Sequence, residues 1–224
     1  TPEQQLAFAR RFGELEPYPF VHGIDGYPEF IEIVKMPDEV RNFGSPWHVD
    51  MSFTTAPPLG AVLYALEMPE AGGDTLFCNS YLAYETLSDG MKDMLTDIKA
   101  LHSDRAVAGP GARDRDAERS TKSRTGSDWV ETLSAHPVVR THPETGGKVL
   151  FVNYGHSIRF KNMTEAESKP LLDYLFAHQT QSEFTCRFQW TVGSMAMWDN
   201  RCTQHNPIND YHGFKRVMHR ISIN

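Results

Sequence analysis

Phe184-Thr-Cys-Arg-Phe-Gln-Trp190, Ser194-Met-Ala-Met-Trp198 and Val217-Met-His-Arg-Ile-Ser-Ile223 are short runs rich in aromatic and β-branched residues, separated by turn formers. Runs of this length and composition read as β-strands. Working outward, Val138 to Thr141 and Val149 to Asn153 repeat the pattern, so strands dominate the second half. Phe30 to Lys35, Gly60 to Leu66 and Thr75 to Cys78 are further strand candidates in the first half. Helices are few. Thr1-Pro2-Glu3-Gln4 offers an N-cap, a first-turn proline and a capping-box partner, and the helix it starts is expected to stop by Gly13. Leu82, Leu87, Met91, Met94, Leu95 and Ile98 fall at helical spacings between Asn79 and Leu101, interrupted near Ser88-Asp89-Gly90, which predicts two consecutive helices. Thr164-Glu-Ala-Glu167 is a second capping box, with Leu171, Leu172, Leu175 and Phe176 as the buried stripe of its helix. No regular βα alternation and no Gly-rich turn between strand and helix are present. A mainly β sandwich or barrel flanked by helices is expected.

The 224 residues suit one large domain, and 40% apolar with 23% charged residues is ordinary for a globular chain. No stretch approaches the ~18 consecutive apolar residues needed to cross a bilayer, so no membrane partner is expected. Against 29 acidic residues stand 22 basic ones, a net charge of −7, which argues against a nucleic-acid partner. Cys78, Cys186 and Cys202 lack CxxC spacing. They suggest reduced thiols and a cytoplasmic location.

Ser103 to Asp128 stands apart. Arg105, Arg113, Arg115, Arg119, Lys122 and Arg124 alternate with Asp104, Asp114, Asp116, Glu118 and Asp128, and the segment is expected to bury almost nothing. It reads as a mobile lid-like insert over residues 103–128, or as a plain solvated loop.

Three His-x-Asp/Glu pairs could hold a metal: His48-Val-Asp50, His102-Ser-Asp104 and His142-Pro-Glu144. On a strand, residues i and i+2 share a face, so such a pair can grip one ion. The third is broken by its proline and the second enters the polar insert, which leaves His48 and Asp50 in an extended context between Trp47 and Phe53. A solvent-facing pair at a strand end is the competing reading. Toward the C-terminus, Trp198-Asp-Asn-Arg-Cys-Thr-Gln-His205 is followed by Arg216 and Arg220. On one strand these arginines would share a face ~13 Å apart and could grip carboxylates, or pair with surface acids.

The whole chain resembles the iron(II)- and 2-oxoglutarate-dependent dioxygenases of the taurine dioxygenase and 2,4-dichlorophenoxyacetate dioxygenase type. The resemblance runs through Phe12 to Leu15, Trp47 to Phe53, Gly72 to Leu76, His136 to Pro143, Phe151 to Asn153, Trp198 to His205 and Arg216 to Arg220. It implies a double-stranded β-helix, the jelly roll of the clavaminate synthase-like fold. It implies iron(II) held by His48, Asp50 and His205, and 2-oxoglutarate held through its far carboxylate by Arg216 and Thr75. Arg220 would sit nearer the metal, against the inner carboxylate or an anionic group of the substrate. O2 is the second cosubstrate, succinate and CO2 are products, and a homo-oligomer (dimer or tetramer) is implied. Family members carry further N-terminal strands, so trimmed ends are expected of 1–224 as a single catalytic domain.

Taurine-cleaving members use a His and a Tyr shortly after Phe-Gly-Glu-Leu and an Asn four residues before the metal His. The matching positions here are Tyr18, Val21 and Gly44, and His156 replaces a Phe after Phe-Val-Asn. The expected substrate is therefore a small, anionic organic molecule other than taurine. Taurine itself, a non-catalytic jelly roll holding a metal and an organic acid, and a zinc hydrolase are the alternatives. Arg216 and Thr75 speak against the hydrolase.

Overall fold

The computed structural model describes residues 1–44, 46–121 and 128–224, with all their side chains except that of Arg113. In chain order the elements are α1 (Pro2–Ala9), β1 (Phe30–Lys35), β2 (Gly60–Glu67), β3 (Thr75–Asn79), α2 (Ser80–Glu85), α3 (Asp89–Leu95), β4 (Lys99–Ser103), α4 (Arg105–Ala108), α5 (Ala112–Ala117), β5 (Leu133–Pro137), β6 (Val139–Thr141), β7 (Lys148–Leu150), β8 (Ser157–Phe160), α6 (Glu165–Gln179), β9 (Thr185–Phe188), β10 (Met195–Asp199), β11 (Thr203–Pro207) and β12 (Arg216–Ile223). The expected capping boxes form at Thr1/Gln4 and Thr164/Glu167, each fixing a helix start by satisfying orphan N–H groups.

The strands pair antiparallel into sheets of order β1-β12-β2-β10, β11-β3-β9, β5-β4-β8 and β6-β7. The architecture is the expected mainly β jelly roll. β12 lies between β1 and β2 and is buried almost throughout, so its Val217, Met218, Ile221 and Ile223 fill the core while Arg216 and Arg220 are carried inside with them. Register places Arg220 between Ile31 and Leu63, and Arg216 opposite Lys35. Gly60 lets β2 approach β10 closely, since a Cβ there would lie 2.3 Å from the Trp198 carbonyl oxygen. Trp190, Trp198 and Met218 form the core beneath this sheet, whereas Leu95, Val138, Phe160, Leu172 and Leu175 seat α6 on the other side of the molecule.

Two differences from the sequence reading have local causes. The helical pattern does not run to Leu101, because Lys99 onward is the central strand β4, whose Ala100 and His102 are fully buried. The insert buries more than expected as well. Ala108, Ala112, Asp116 and Thr121 are buried, and Thr121 Oγ1 accepts from Val34 N at 2.7 Å, fastening the segment to β1. Its charges satisfy one another and nearby acids: Arg105 pairs with Glu131 and Glu165 at 3.0 Å each. Residues 122–127 of the insert lie outside the described residues.

Met218 has no exposed surface and packs between the two arginines, on the same face of β12. Met218→Ala is expected to lower unfolding free energy by ~2–5 kcal/mol, whereas truncation of the exposed Leu66 shifts it by less than ~0.5 kcal/mol. Urea denaturation of both variants checks this.

Candidate metal and oxyacid site

His48 and His205 meet through the backbone. His48 N donates to His205 O and His205 N to His48 O, both at 3.0 Å, as an isolated antiparallel bridge on the edge of β11 away from β3. Here the strand assumption for His48 to Asp50 is corrected. Only His48 is bridged, Ser52 N turns back to Val49 O, and Met51 adopts φ +46. A left-handed non-glycine residue is uncommon. In this place it swings Asp50 under the two imidazoles, so a turn and not strand alternation sets the pair. Gly155 closes in from the other side, where a Cβ would lie 2.9 Å from His48 Cβ.

His48 Nε2 lies 3.5 Å and His205 Nε2 3.7 Å from the same oxygen, Asp50 Oδ1. His48 Nδ1 is 2.8 Å from the Pro46 carbonyl oxygen and so carries the proton, leaving the Nε2 lone pair free. The three side chains form a cluster that could hold one metal ion. Burial and then the neighbouring His48 push His205 well below the ordinary histidine value, which keeps it neutral. Burial opposes ionisation of Asp50, but Arg220 first, then His205 and His48, outweigh it and hold the carboxyl well below the usual range. Arg220 Nη2 sits 2.8 Å from Asp50 Oδ2. Two neutral imidazoles and one ionised carboxylate on one side of an open cavity fit a divalent first-row metal with coordination positions to spare.

The cavity, about 320 Å³, also receives Thr75 from β3, Trp198 from β10, and Arg216 and Arg220 from β12. Arg216 is 5% exposed, yet its Nε and Nη2 have no hydrogen-bond partner. Gly73, at φ +71, makes room for it: a Cβ there would lie 3.2 Å from Arg216 Cδ. Thr75 Oγ1 accepts from Trp190 Nε1 at 3.0 Å, so its own proton is free to donate into the cavity. Lys35, which the sequence reading missed, is equally buried with an unpartnered Nζ lying 4.5 Å over the Tyr211 ring, beside Arg216. Its only sequence signal was a lysine ending an apolar strand. Buried donors without acceptors are costly, and their grouping here suits an oxyacid.

Of the remaining expected residues, Tyr18, Gly44 and His156 line the cavity. Val21 does not; it packs behind Tyr18 against Ile31. The Tyr18 ring lies under Arg220, 5.2 Å from its guanidinium carbon, and burial raises its phenol to about 12. His156 Nδ1 donates to Ser103 O at 3.1 Å, and burial, then His48, push its pKa down to about 3. Behind it, Ser52, His102, Asn153 and Ser157 form a buried hydrogen-bond network two residues from Asp50. His142, the other His-x-Glu candidate, lies elsewhere. It groups with Asp199 and Cys202, but Nδ1 accepts from Glu144 N and Thr145 N, so Nε2 carries a proton toward Asp199 at 3.1 Å. That tautomer leaves no lone pair for a metal, and Arg201 already chelates Asp199.

A jelly roll that gathers two histidines, a carboxylate and buried arginines round one cavity has the donor set for a divalent metal with an oxyacid beside it. The model of the family described as "Taurine catabolism dioxygenase TauD, TfdA family" matches residues 1–222, and the chain belongs to that family. It is 33% identical to an alpha-ketoglutarate-dependent sulfate ester dioxygenase of Pseudomonas putida, over 99% of this chain and 72% of that protein. It is 34% identical to an alkylsulfatase of Acinetobacter baylyi, over 98% of this chain and 68% of that protein. The crystal structure of a taurine dioxygenase from Burkholderia xenovorans superposes with a TM-score of 0.78 at 33% identity, covering all of this chain and 72% of that one.

Asp50→Ala removes the cluster's only carboxylate and leaves Arg220 facing two imidazoles. Iron(II) or cobalt(II) affinity is expected to fall by more than the ~10–100-fold that loss of an outer-shell partner costs, with His142→Ala unchanged. Anaerobic metal titration reads both.

The buried neutral histidines also set a pH dependence. His102 and His156 are both depressed by burial, so the unfolded chain binds more protons below the ordinary histidine pKa of ~6.5. Stability is therefore full above that value and falls as pH drops toward the folded pKa, by up to ~1.4 kcal/mol per pH unit for each. The urea midpoint is expected to be lower at pH 5 than at pH 7.5; equal midpoints would contradict the burial argument.

Proposed function

We propose that this chain binds iron(II) through His48, Asp50 and His205 and 2-oxoglutarate through Arg216 and Thr75, and that it hydroxylates a small organic anion with release of succinate and CO2. The observation that carries the reading is the unpartnered, buried guanidinium of Arg216 sharing one cavity with the metal cluster. Among the described residues no helix is long and apolar enough to cross a membrane, and three free cysteines favour a reducing compartment. A cytoplasmic homo-oligomer belongs to the same proposal, as does a lid role for the insert.

When bound, the iron would supply activation of O2 coupled to oxidative decarboxylation of 2-oxoglutarate. The chain's own residues do the rest. Arg216 and the Thr75 hydroxyl take the far carboxylate of 2-oxoglutarate, which converts two orphaned buried donors into charge-assisted bonds. Arg220, 2.8 Å from Asp50, favours its ionised form and fixes its orientation, which keeps the carboxylate available as a ligand. Trp198 and Phe77 pack against His205 and exclude water from its outer face. Tyr18, Gly44 and His156 shape the wall against which the substrate rests.

The relative named for sulfate esters, together with the absence of a side chain at Gly44 in the cavity wall, favours an anion without an amine. The test is a parallel assay of succinate formation with alkyl sulfates, alkyl sulfonates, aryloxy acids and taurine at equal concentration. Coupled turnover with one of the first three and at least tenfold less with taurine is expected. A tenfold preference for taurine would overturn the substrate assignment.

Arg216→Ala should weaken 2-oxoglutarate at least tenfold, since a buried charged hydrogen bond is worth ~1.5–3 kcal/mol. Unchanged affinity in equilibrium binding would place the carboxylate elsewhere.

A further inference from the structure

The polar insert carries a cation that the site described above leaves unused. Ala106 and Val107 of α4 and Arg115 of α5 line the cavity, with Arg119 just beyond α5 and Arg41 from the facing loop. Two of these three guanidiniums have acidic partners. Arg41 pairs with Glu118 at 2.7 Å, and Arg119 Nε donates to Asp116 at 3.0 Å. Arg115 is different: its Nη2 donates to the backbone carbonyl of Ala106, and among the described residues it has no ion-pair partner. Burial, then the field of Arg119 and that of Arg41, oppose its charge more than Asp116 and Asp114 support it. A guanidinium bears five N–H donors in a planar fork, so most of the recognition capacity of Arg115 faces an open cavity.

Asp50 is matched by Arg220, and 2-oxoglutarate by Arg216 in the proposal above. Arg115 remains, next to an apolar wall of Ala106, Val107, Phe43 and Met51. We propose that Arg115 holds the anionic head group of the primary substrate, an organic sulfate, sulfonate or carboxylate whose hydrocarbon body lies along that wall. The inference rests on the reading of the substrate as a small organic anion, and it makes the insert the specificity element of the enzyme.

The experiment compares wild type, Arg115→Gln and Arg115→Lys in the full chain loaded with iron(II) and 2-oxoglutarate. Equilibrium binding of hexyl sulfate, hexanesulfonate and hexanoate is measured anaerobically at low and high salt, with 2-oxoglutarate affinity and aerobic succinate release measured on the same samples. The expected result is at least tenfold weaker binding of the preferred anion by Arg115→Gln, largely restored in Arg115→Lys. Wild-type affinity should fall with salt, and 2-oxoglutarate affinity should be the same in all three. Equal anion binding by wild type and Arg115→Gln, while wild type turns the anion over, would overturn the role of Arg115 alone. Loss of 2-oxoglutarate binding in Arg115→Gln would overturn it too, by making the residue structural. Failure of wild type to bind any of the anions would overturn both this role and the substrate class.

Discussion

The reciprocal backbone bonds between His48 and His205 are the constraint on which the site depends. They tie the loop before β2 to the middle of β11, two parts of the chain far apart in sequence, with no freedom of register. Everything nearby follows from that bridge. The positive φ of Met51 turns Asp50 under both rings, and Gly155 lets the next loop close against His48. Backbone geometry of this kind is costly and persists only where surrounding packing over-determines it. The packing is supplied by Trp198 and Phe77 on one side and by the Ser52, His102 and Asn153 network on the other.

Electrostatics divides the cavity into matched and unmatched charge. Asp50 is ionised because Arg220 and two imidazoles outweigh its burial. Arg216 and Lys35, by contrast, are buried with donors left over. A fold optimised for stability alone would replace them by apolar residues, since unpaired buried charge is strongly destabilising. Their retention on the adjacent strands β1 and β12, opposite one another in register, concentrates positive potential beside the cavity. The same logic extends outward to Arg115 on the insert.

Much of this was legible in the sequence, and the illegible parts share a cause. A strand such as Val217 to Ile223 announces itself because its Val217, Met218, Ile221 and Ile223 fill the core. β11, Thr203-Gln-His-Asn-Pro207, does not, because its buried positions are taken by the polar His205 and by Gln204, which donates to Val152 O and Gln179. β4 hid behind the end of α3, since Ile98 continues the helical spacing that Lys99 abandons. Gly44 and His156 line the cavity, whereas Val21 faces a core cluster, as an alignment crossing a loop cannot fix which side a residue takes. The insert's arginines were visible as composition only. Which of them lacks an acidic partner depends on the pairing of Arg41 with Glu118 and of Arg119 with Asp116, and no spacing rule predicts that.

The central claim is that one cavity of this chain holds a metal through His48, Asp50 and His205 while Arg216 holds the oxyacid that chelates it. Its most direct test is an anaerobic titration of the protein with iron(II) and then 2-oxoglutarate, following the visible metal-to-ligand charge-transfer absorption. The account predicts a band that saturates at one iron and one 2-oxoglutarate per chain. A band that never develops, with iron(II) bound, would contradict it.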